Sequence, residues 1–295
     1  IRDRDEAVSI MVDKANIAAD TIKNNYDCCV AYYDEHLLEI SIEQRRLLGE
    51  FEPALQNDEF VMYLQPQVKR DGAAKGAEAL VRWVHPSRGI LTPYAFIDIL
   101  ENAGLIYKLD LYIWEKAAQK LAEWKEKGYG SYHISVNIST KDFYIIDIYE
   151  TFTGLINKYG IAASNLHLEI TETTLMTDFE KNMNIIHKLQ GVGFRVEIDD
   201  FGSGYSSLNM LKDISADVLK IDMGFLRKSE NEVKGQDILE SIITLAGKIG
   251  MDVITEGVET KKQLDMLTMM GCHEFQGYYF SKPVPVSEFE EKYLV

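Results

Sequence analysis

Cysteine is scarce: Cys28, Cys29 and Cys272 are the only three in 295 residues, and none falls at a paired metal-ligand spacing. That argues against a cysteine-based zinc centre, and an odd, low count fits free thiols in a reducing compartment. Positive charge is also short. Lys and Arg number 31 against 47 Asp and Glu, a formal charge of −16 with no basic stripe to offset it, which argues against a surface for nucleic-acid polymers. A phosphorylated small ligand is still compatible with such a chain if metal ions or a few arginines line its pocket. No apolar run approaches the roughly 18 residues of a membrane span, and no signal peptide opens the chain. A cytoplasmic protein is expected. The chain starts on Ile1 rather than Met, so a longer parent is expected, with room upstream for a sensor or membrane-anchored segment.

What is present is a 46% hydrophobic fraction with 11% aromatics, enough for a substantial core. Apolar positions at helical spacing (Ala7, Ile10, Met11, Ala15, Ala18) predict a helix over 4–24. A second set, through Leu37, Ile40, Leu47, Leu48, Phe51 and Leu55, predicts one over 35–56. Between them "CCVAYYD" (28–34) reads as a short strand. This helix-strand-helix segment cannot build a core alone. It is expected to end one domain and lead into the next, with residues 1–45 and 46–295 as the two parts.

From about residue 59 the pattern is regular, with eight strand-like runs: "FVMYLQP", "GAEALVRW", "YHISVNIS", "LHLEIT", "FRVEIDD", "VLKID", "DVITEG" and "EFQGYYF". Helical stretches near 109–128, 141–158, 178–190, 233–250 and 260–270 separate most of them. The first two runs are joined only by "VKRDGAAKG", too short for a crossover helix, so they should pair antiparallel. The other connections suit parallel βα units. The expected fold is an α/β, TIM-like (β/α)₈ barrel with an antiparallel first strand.

A barrel brings the C-terminal ends of its strands to one mouth. Glu78, Asn137, Glu169, Asp199 with Asp200, Lys220, Glu256 and Gln276 all stand at or near such ends. Each has a plain structural alternative. Glu78 could pair with Arg82, Asn137 could cap a turn, Lys220 could neutralise a carboxylate, Gln276 could bond backbone, and the Asp-Asp pair could sit in a solvated loop. Taken together these alternatives fail, because five carboxylates sharing one mouth repel one another unless compensated. Oxygen-rich clusters hold hard divalent cations such as Mg²⁺ or Mn²⁺, and adjacent aspartates flanked by carboxylates suit a two-metal site. The chemistry these residues point to is metal-assisted phosphoester hydrolysis.

The motifs "EALVRW" (78–83), "SVNIS" (135–139), "LEITET" (168–173), "IDDFGSGYSSL" (198–208), "LKID" (219–222), "EGVET" (256–260) and "QGYYFSKP" (276–283) together resemble the EAL-domain family over about residues 50–295. The resemblance implies a barrel with an antiparallel first strand and hydrolysis of cyclic di-GMP to linear 5′-pGpG. It implies that Glu78, Asn137, Glu169 and Asp199 bind one metal, and that Asp199 bridges to a second held by Asp200 and Glu256. Lys220 would orient or deprotonate the attacking water. Glu259 and Gln276 complete the implied catalytic set, and Arg82 would contact phosphate. Gln65, Leu80 and Asp222 would line the dinucleotide pocket. Glu172 would hold the loop after Asp200, the loop through which such domains form homodimers. Small departures from the family pattern are Ser203 for threonine, Thr255 for alanine, and Met223 with Gly224 after Asp222. None removes an implied ligand. Residues 1–45 resemble the last helix and strand of a GGDEF cyclase domain, although no GGDEF sequence is present. The alternative is a non-catalytic cyclic di-GMP receptor of the same fold, and a phosphatase acting on another ester follows only if the motifs are set aside.

Overall fold

The computed structural model describes residues 7–22, 29–202, 214–224 and 232–294. The described strands are β1 (Phe60–Lys69), β2 (Ala74–His85), β3 (Gly89–Leu91), β4 (His133–Ile138), β5 (Leu166–Thr171), β6 (Val196–Phe201), β7 (Val218–Asp222), β8 (Asp252–Glu256), β9 (Glu274–Phe275) and β10 (Val284–Pro285). Eight of them close a barrel in the order β1-β2-β4-β5-β6-β7-β8-β9, with β9 returning to β1. Both contacts of β1 within the barrel are antiparallel, and every other barrel pair is parallel. The reason is local. Only residues 70–73 join β1 to β2, with Gly72 in the left-handed region (φ 86°) and Asp71 Oδ1 accepting from the Ala73 amide at 3.0 Å. A turn that short can only make a hairpin.

The parallel strands are linked by helices packed outside the barrel, chiefly Ile106–Glu126, Ile148–Tyr159, Phe179–Val192, Glu232–Lys248 and Lys261–Met269. Their inner faces meet the sheet through buried Trp114 and Phe152, whose rings lie 4.5 Å apart, and Phe194, in the link from Phe179–Val192 to β6, packs edge-on against Phe152. The helix Glu35–Gln56 starts on an Asp34 cap, whose carboxylate accepts from the Leu37 amide at 2.9 Å. It runs unbroken across residue 45. Its buried residues, Leu47, Phe51 and Ala54, lie three to four apart in its C-terminal half and cover the barrel beside Phe60.

Two expectations are corrected. Of the strand expected over 28–34, Cys28 lies outside the described residues and 29–34 carry no regular structure. Alternating side chains make a strand only when a neighbour supplies hydrogen bonds, and none of the described strands pairs there. The run expected over 274–280 is a strand only at Glu274–Phe275. There the chain turns in against the loop after β8: the Val258 amide donates to the Gln276 carbonyl and the Tyr279 amide to the Val258 carbonyl. Short helices at Ile97–Asn102, Glu172–Thr177 and Val286–Tyr293 were not expected from periodicity. Among the described residues no helix is long and apolar enough to cross a membrane.

Candidate active site

Alternation along barrel strands sends every second side chain inward. On β2 that puts Glu78, Leu80 and Arg82 on one face, with Gln65 of β1 directly opposite Glu78. Register then sets Asn137 beside Glu169, and Asp222 beside Glu256. The pairing of β6 with β7 shifts between Ile198 and Phe201, and Asp200 within that irregularity takes a left-handed backbone (φ 57°). Such a bulge re-aims side chains. It lets two consecutive aspartates leave the strand at the mouth.

Lys220 is the centre. Its ammonium is wholly enclosed and lies 2.6 Å from Glu256 Oε1, 2.8 Å from Glu169 Oε2, 3.3 Å from Glu78 Oε2 and 3.4 Å from Asp199 Oδ1. Asn137 Nδ2 donates to Glu78 Oε1 at 3.0 Å, and Gln276 Nε2 donates to Glu78 Oε2 at 2.5 Å. Gln276 Nε2 is also 3.3 Å from Gln65 Oε1, while Gln65 Nε2 donates to the Ser281 carbonyl at 3.3 Å. Glu78 is therefore well supplied with donors. Both oxygens of Glu169, Asp199 Oδ1 and Glu256 Oε1 are buried with no partner besides the Lys220 ammonium, which forms ion pairs with Glu169 Oε2, Asp199 Oδ1 and Glu256 Oε1.

The charges respond accordingly. Burial pushes the Lys220 ammonium down, but Asp199, Glu169, Glu256 and Glu78 together carry it well above its ordinary value, so it stays protonated. Burial raises Glu256 to about 8 against the pull of Lys220, with Asp199 and Glu78 adding to the rise. Burial, then Glu78, puts Glu169 well above the carboxylate range. Asp199 is raised by burial, against the pull of Lys220. Asp200 is raised by partial desolvation and by Asp199 and Asp222. Glu78 alone of the five is lowered: Lys220, Gln276 and Asn137 outweigh its burial.

Arg82 does not pair with Glu78; its Nη1 donates to the Val81 carbonyl and its guanidinium lies over the Tyr63 ring, 5.4 Å from the centroid. Gln276 bonds side chains with its amide nitrogen, and Asn137 bonds Glu78. Asp222 Oδ1 accepts from the Gly224 amide at 2.7 Å. Glu259 is exposed, one residue before the Thr260 cap of the helix Lys261–Met269. Glu172 opens the short helix after β5, half-buried. Ser203 and the rest of "SGYSSL" lie outside the described residues. Thr255 is buried with its hydroxyl 3.5 Å from Cys272 Sγ, facing the side of β8 opposite to Glu256.

A second polar layer lies beneath the motif residues. Gln67, His133, Ser135, His167 and Glu197 are buried deeper in the barrel, below the carboxylates. Alternation was the available signal: His167 and Glu197 stand two residues before Glu169 and Asp199, and His133 four before Asn137, so each shares an inward face.

A closed barrel with carboxylates and one lysine at the C-terminal ends of its parallel strands defines a TIM-barrel protein with its site in the usual mouth. The EAL domain family model matches residues 49–283, and the chain belongs to that family. It is 32% identical over 272 residues to the bifunctional diguanylate cyclase/cyclic di-GMP phosphodiesterase MucR of Pseudomonas aeruginosa, covering 92% of this chain and 39% of that protein. It is 33% identical over 240 residues to the cyclic di-GMP phosphodiesterase PdeR of Escherichia coli, covering 81% of this chain and 36% of that one. A solved structure described as PaMucR phosphodiesterase in complex with c-di-GMP superposes with a TM-score of 0.78 at 33% identity, covering 83% of this chain and 99% of the other. The chain spans 31% to 40% of the length of the first curated relatives it matches.

Proposed function

We propose that this chain hydrolyses cyclic di-GMP to linear 5′-pGpG in bacterial second-messenger signalling. The observation that carries the reading is the set of buried oxygens of Glu169, Asp199 and Glu256 that have Lys220 as their one cation, at the mouth of an EAL-domain barrel. The relatives named as cyclic di-GMP phosphodiesterases support the substrate, as does the solved relative in complex with c-di-GMP.

The family is metal-dependent, and the mouth fits a hard cation. Five carboxylates (Glu78, Glu169, Asp199, Asp200, Glu256) against the single Lys220 ammonium leave four negative charges when all are ionised, which two divalent ions balance. In this reading Glu78, Asn137, Glu169 and Asp199 would hold one Mg²⁺ or Mn²⁺, and Asp199, Asp200 and Glu256 would hold the other. Asn137 keeps its carbonyl oxygen for this role because its amide nitrogen serves Glu78. Ions bound there supply positive charge where a phosphodiester gains negative charge. Water adds to phosphorus as the P–O3′ bond breaks, and the proton that the water gives up ends on the departing 3′ oxygen. Lys220, held protonated by its four carboxylates, orients the attacking water as a donor rather than serving as a free base. Arg82 contacts phosphate, while Gln65, Leu80, Asp222, Glu259 and Gln276 line the dinucleotide site.

The remaining parts of the reading concern the surroundings. Glu172 steadies the loop after Asp200, through which the domain forms a homodimer. Residues 1–45 end a GGDEF-like domain and connect it to the barrel in a cytoplasmic protein. Exposed Leu38, Ile40 and Ile42 on the N-terminal half of the connecting helix support that role. The deciding experiment is incubation with cyclic di-GMP and Mg²⁺ or Mn²⁺, followed by chromatography. Formation of pGpG that stops in excess EDTA is expected. Tight binding with no product in either metal replaces the enzyme by a receptor, and full turnover in EDTA overturns the metal assignment.

A further inference from the structure

Beneath the carboxylate mouth, three strands carry a second group of metal-ligating side chains: His133 on β4, His167 on β5 and Glu197 on β6. All three are buried, with relative exposures of 9%, 3% and 0%. One ligand atom from each lies within 4.8 Å of the others. The backbone makes room for them. A Cβ on Gly76, paired in register with His133, would stand 2.4 Å from the imidazole ring.

The hydrogen bonds around the group close at both His167 nitrogens and at Glu197 Oε1 but leave two polar atoms over. His167 Nε2 faces the Ser164 carbonyl at 3.2 Å, and a carbonyl only accepts, so the proton of a neutral ring belongs on Nε2. Nδ1 lies 2.5 Å from Glu197 Oε1, a separation bridged by one shared proton and too short for an ion between the two atoms, so a metal bound there takes the place of that proton and the carboxylate shifts to admit it. His133 Nε2 meets Gln67 Oε1 at 2.7 Å. Glu197 Oε2 and Gln67 Nε2, both buried to within 1%, have no partner. Buried polar atoms are seldom left so.

We propose that His133, His167 and Glu197 form a second metal site at the barrel end opposite the mouth, suited to a borderline divalent ion such as Zn²⁺. Two imidazoles and a carboxylate are zinc-type ligands, unlike the all-oxygen set above, and Gln67 Oε1 or water completes four-coordination. The two rings stack 3.8 Å apart with 4° between their planes, so one must turn about its Cβ–Cγ bond to aim at a shared ion. A cavity of about 520 Å³, bordered by both histidines and Glu197 and by Lys75 and Arg195, provides room to turn and a path in. The ion ties together the three strands that carry Asn137, Glu169 and Asp199, and so stiffens the floor of the mouth.

The test is zinc content by mass spectrometry after tag-free protein is dialysed against Zn²⁺ in excess Mg²⁺. Wild type should retain one ion per chain more than His167→Asn, and Glu197→Gln should hold that ion at least tenfold more weakly. Equal zinc in wild type and His167→Asn overturns the site. Circular-dichroism melting checks that each variant folds. Should His167→Asn fail to fold, electron paramagnetic resonance of wild type with one equivalent of Cu²⁺ decides. Hyperfine coupling to two imidazole nitrogens supports the site and its absence overturns it. Neither readout involves cyclic di-GMP, so failure here is separable from failure of the phosphodiesterase reading.

Discussion

Lys220 Nζ lies 2.6 Å from Glu256 Oε1, across two adjacent parallel strands, with no solvent reaching the ammonium. Lys220→Met should lower turnover of cyclic di-GMP by about 10²–10⁴-fold, the scale of a positioning or proton-transfer contribution. Affinity for the dinucleotide should hold within a few-fold. The variant should also lose about 3–5 kcal/mol of stability, because a buried ion-pair network loses its only cation. Product chromatography, calorimetry and urea unfolding read the three quantities. Unchanged turnover removes Lys220 from the mechanism.

A raised carboxylate and a metal ion compete for the same oxygens. Glu256, raised by burial to about 8, keeps its proton in the folded protein at pH values where the unfolded chain has released it. Without added ions, this group's contribution to stability should therefore be lost as pH rises from the ordinary carboxylate range through about 8. Mg²⁺ binds the deprotonated form. The melting-temperature gain on adding Mg²⁺ should thus grow between about pH 6 and 9. Thermal melts in EDTA and in Mg²⁺ across that range measure it, and a gain independent of pH contradicts the assignment of Glu256 as a ligand.

Gly277 places Gln276. A Cβ there would stand 2.2 Å from the Val258 carbonyl oxygen and 2.3 Å from its amide nitrogen, and both are backbone atoms that cannot swing away. Gly277→Ala should cost about 1–3 kcal/mol, the usual range for overpacking. It should also shift Gln276 from Glu78, lowering turnover about 10²-fold, as expected for a displacement near 1 Å in a catalytic constellation. Stability unchanged in a denaturant series contradicts the close approach.

Asp110 forms a carboxyl pair with Asp142 outside the mouth. Burial, followed by the charge and hydrogen bond of Asp142, holds it well above the ordinary range. The folded state thus binds a proton that the unfolded chain gives up, so stability should fall as pH rises past the ordinary aspartate value. Asp110→Asn removes that titration. Its melting temperature should equal or exceed wild type at pH 8, with a shallower decline between pH 5 and 8. An identical pH profile for the two proteins rules the pair out as a source of the decline.

The architecture of this protein was legible in the chain because it depends on local signals. Strand alternation, connection length and helical spacing gave eight barrel strands and the antiparallel first hairpin, and the mouth followed because alternate residues at strand ends must converge. Glu78, Asn137, Glu169, Asp199, Asp200, Lys220, Glu256 and Gln276 stand at or near strand ends in the sequence for the same reason. Tertiary structure alone decided the rest. Whether Arg82 meets Glu78 or Tyr63, and whether Gln276 bonds backbone or Glu78, depends on side-chain direction across strands far apart in sequence. The "CCVAYYD" segment has strand-like residues, yet 29–34 form no strand, because β-structure needs a hydrogen-bonding neighbour that no single segment encodes. His133, His167 and Glu197 lie 34 and 30 residues apart and follow no local spacing rule. Only barrel closure, which aligns the inward faces of β4, β5 and β6, brings them within ligand distance of one another.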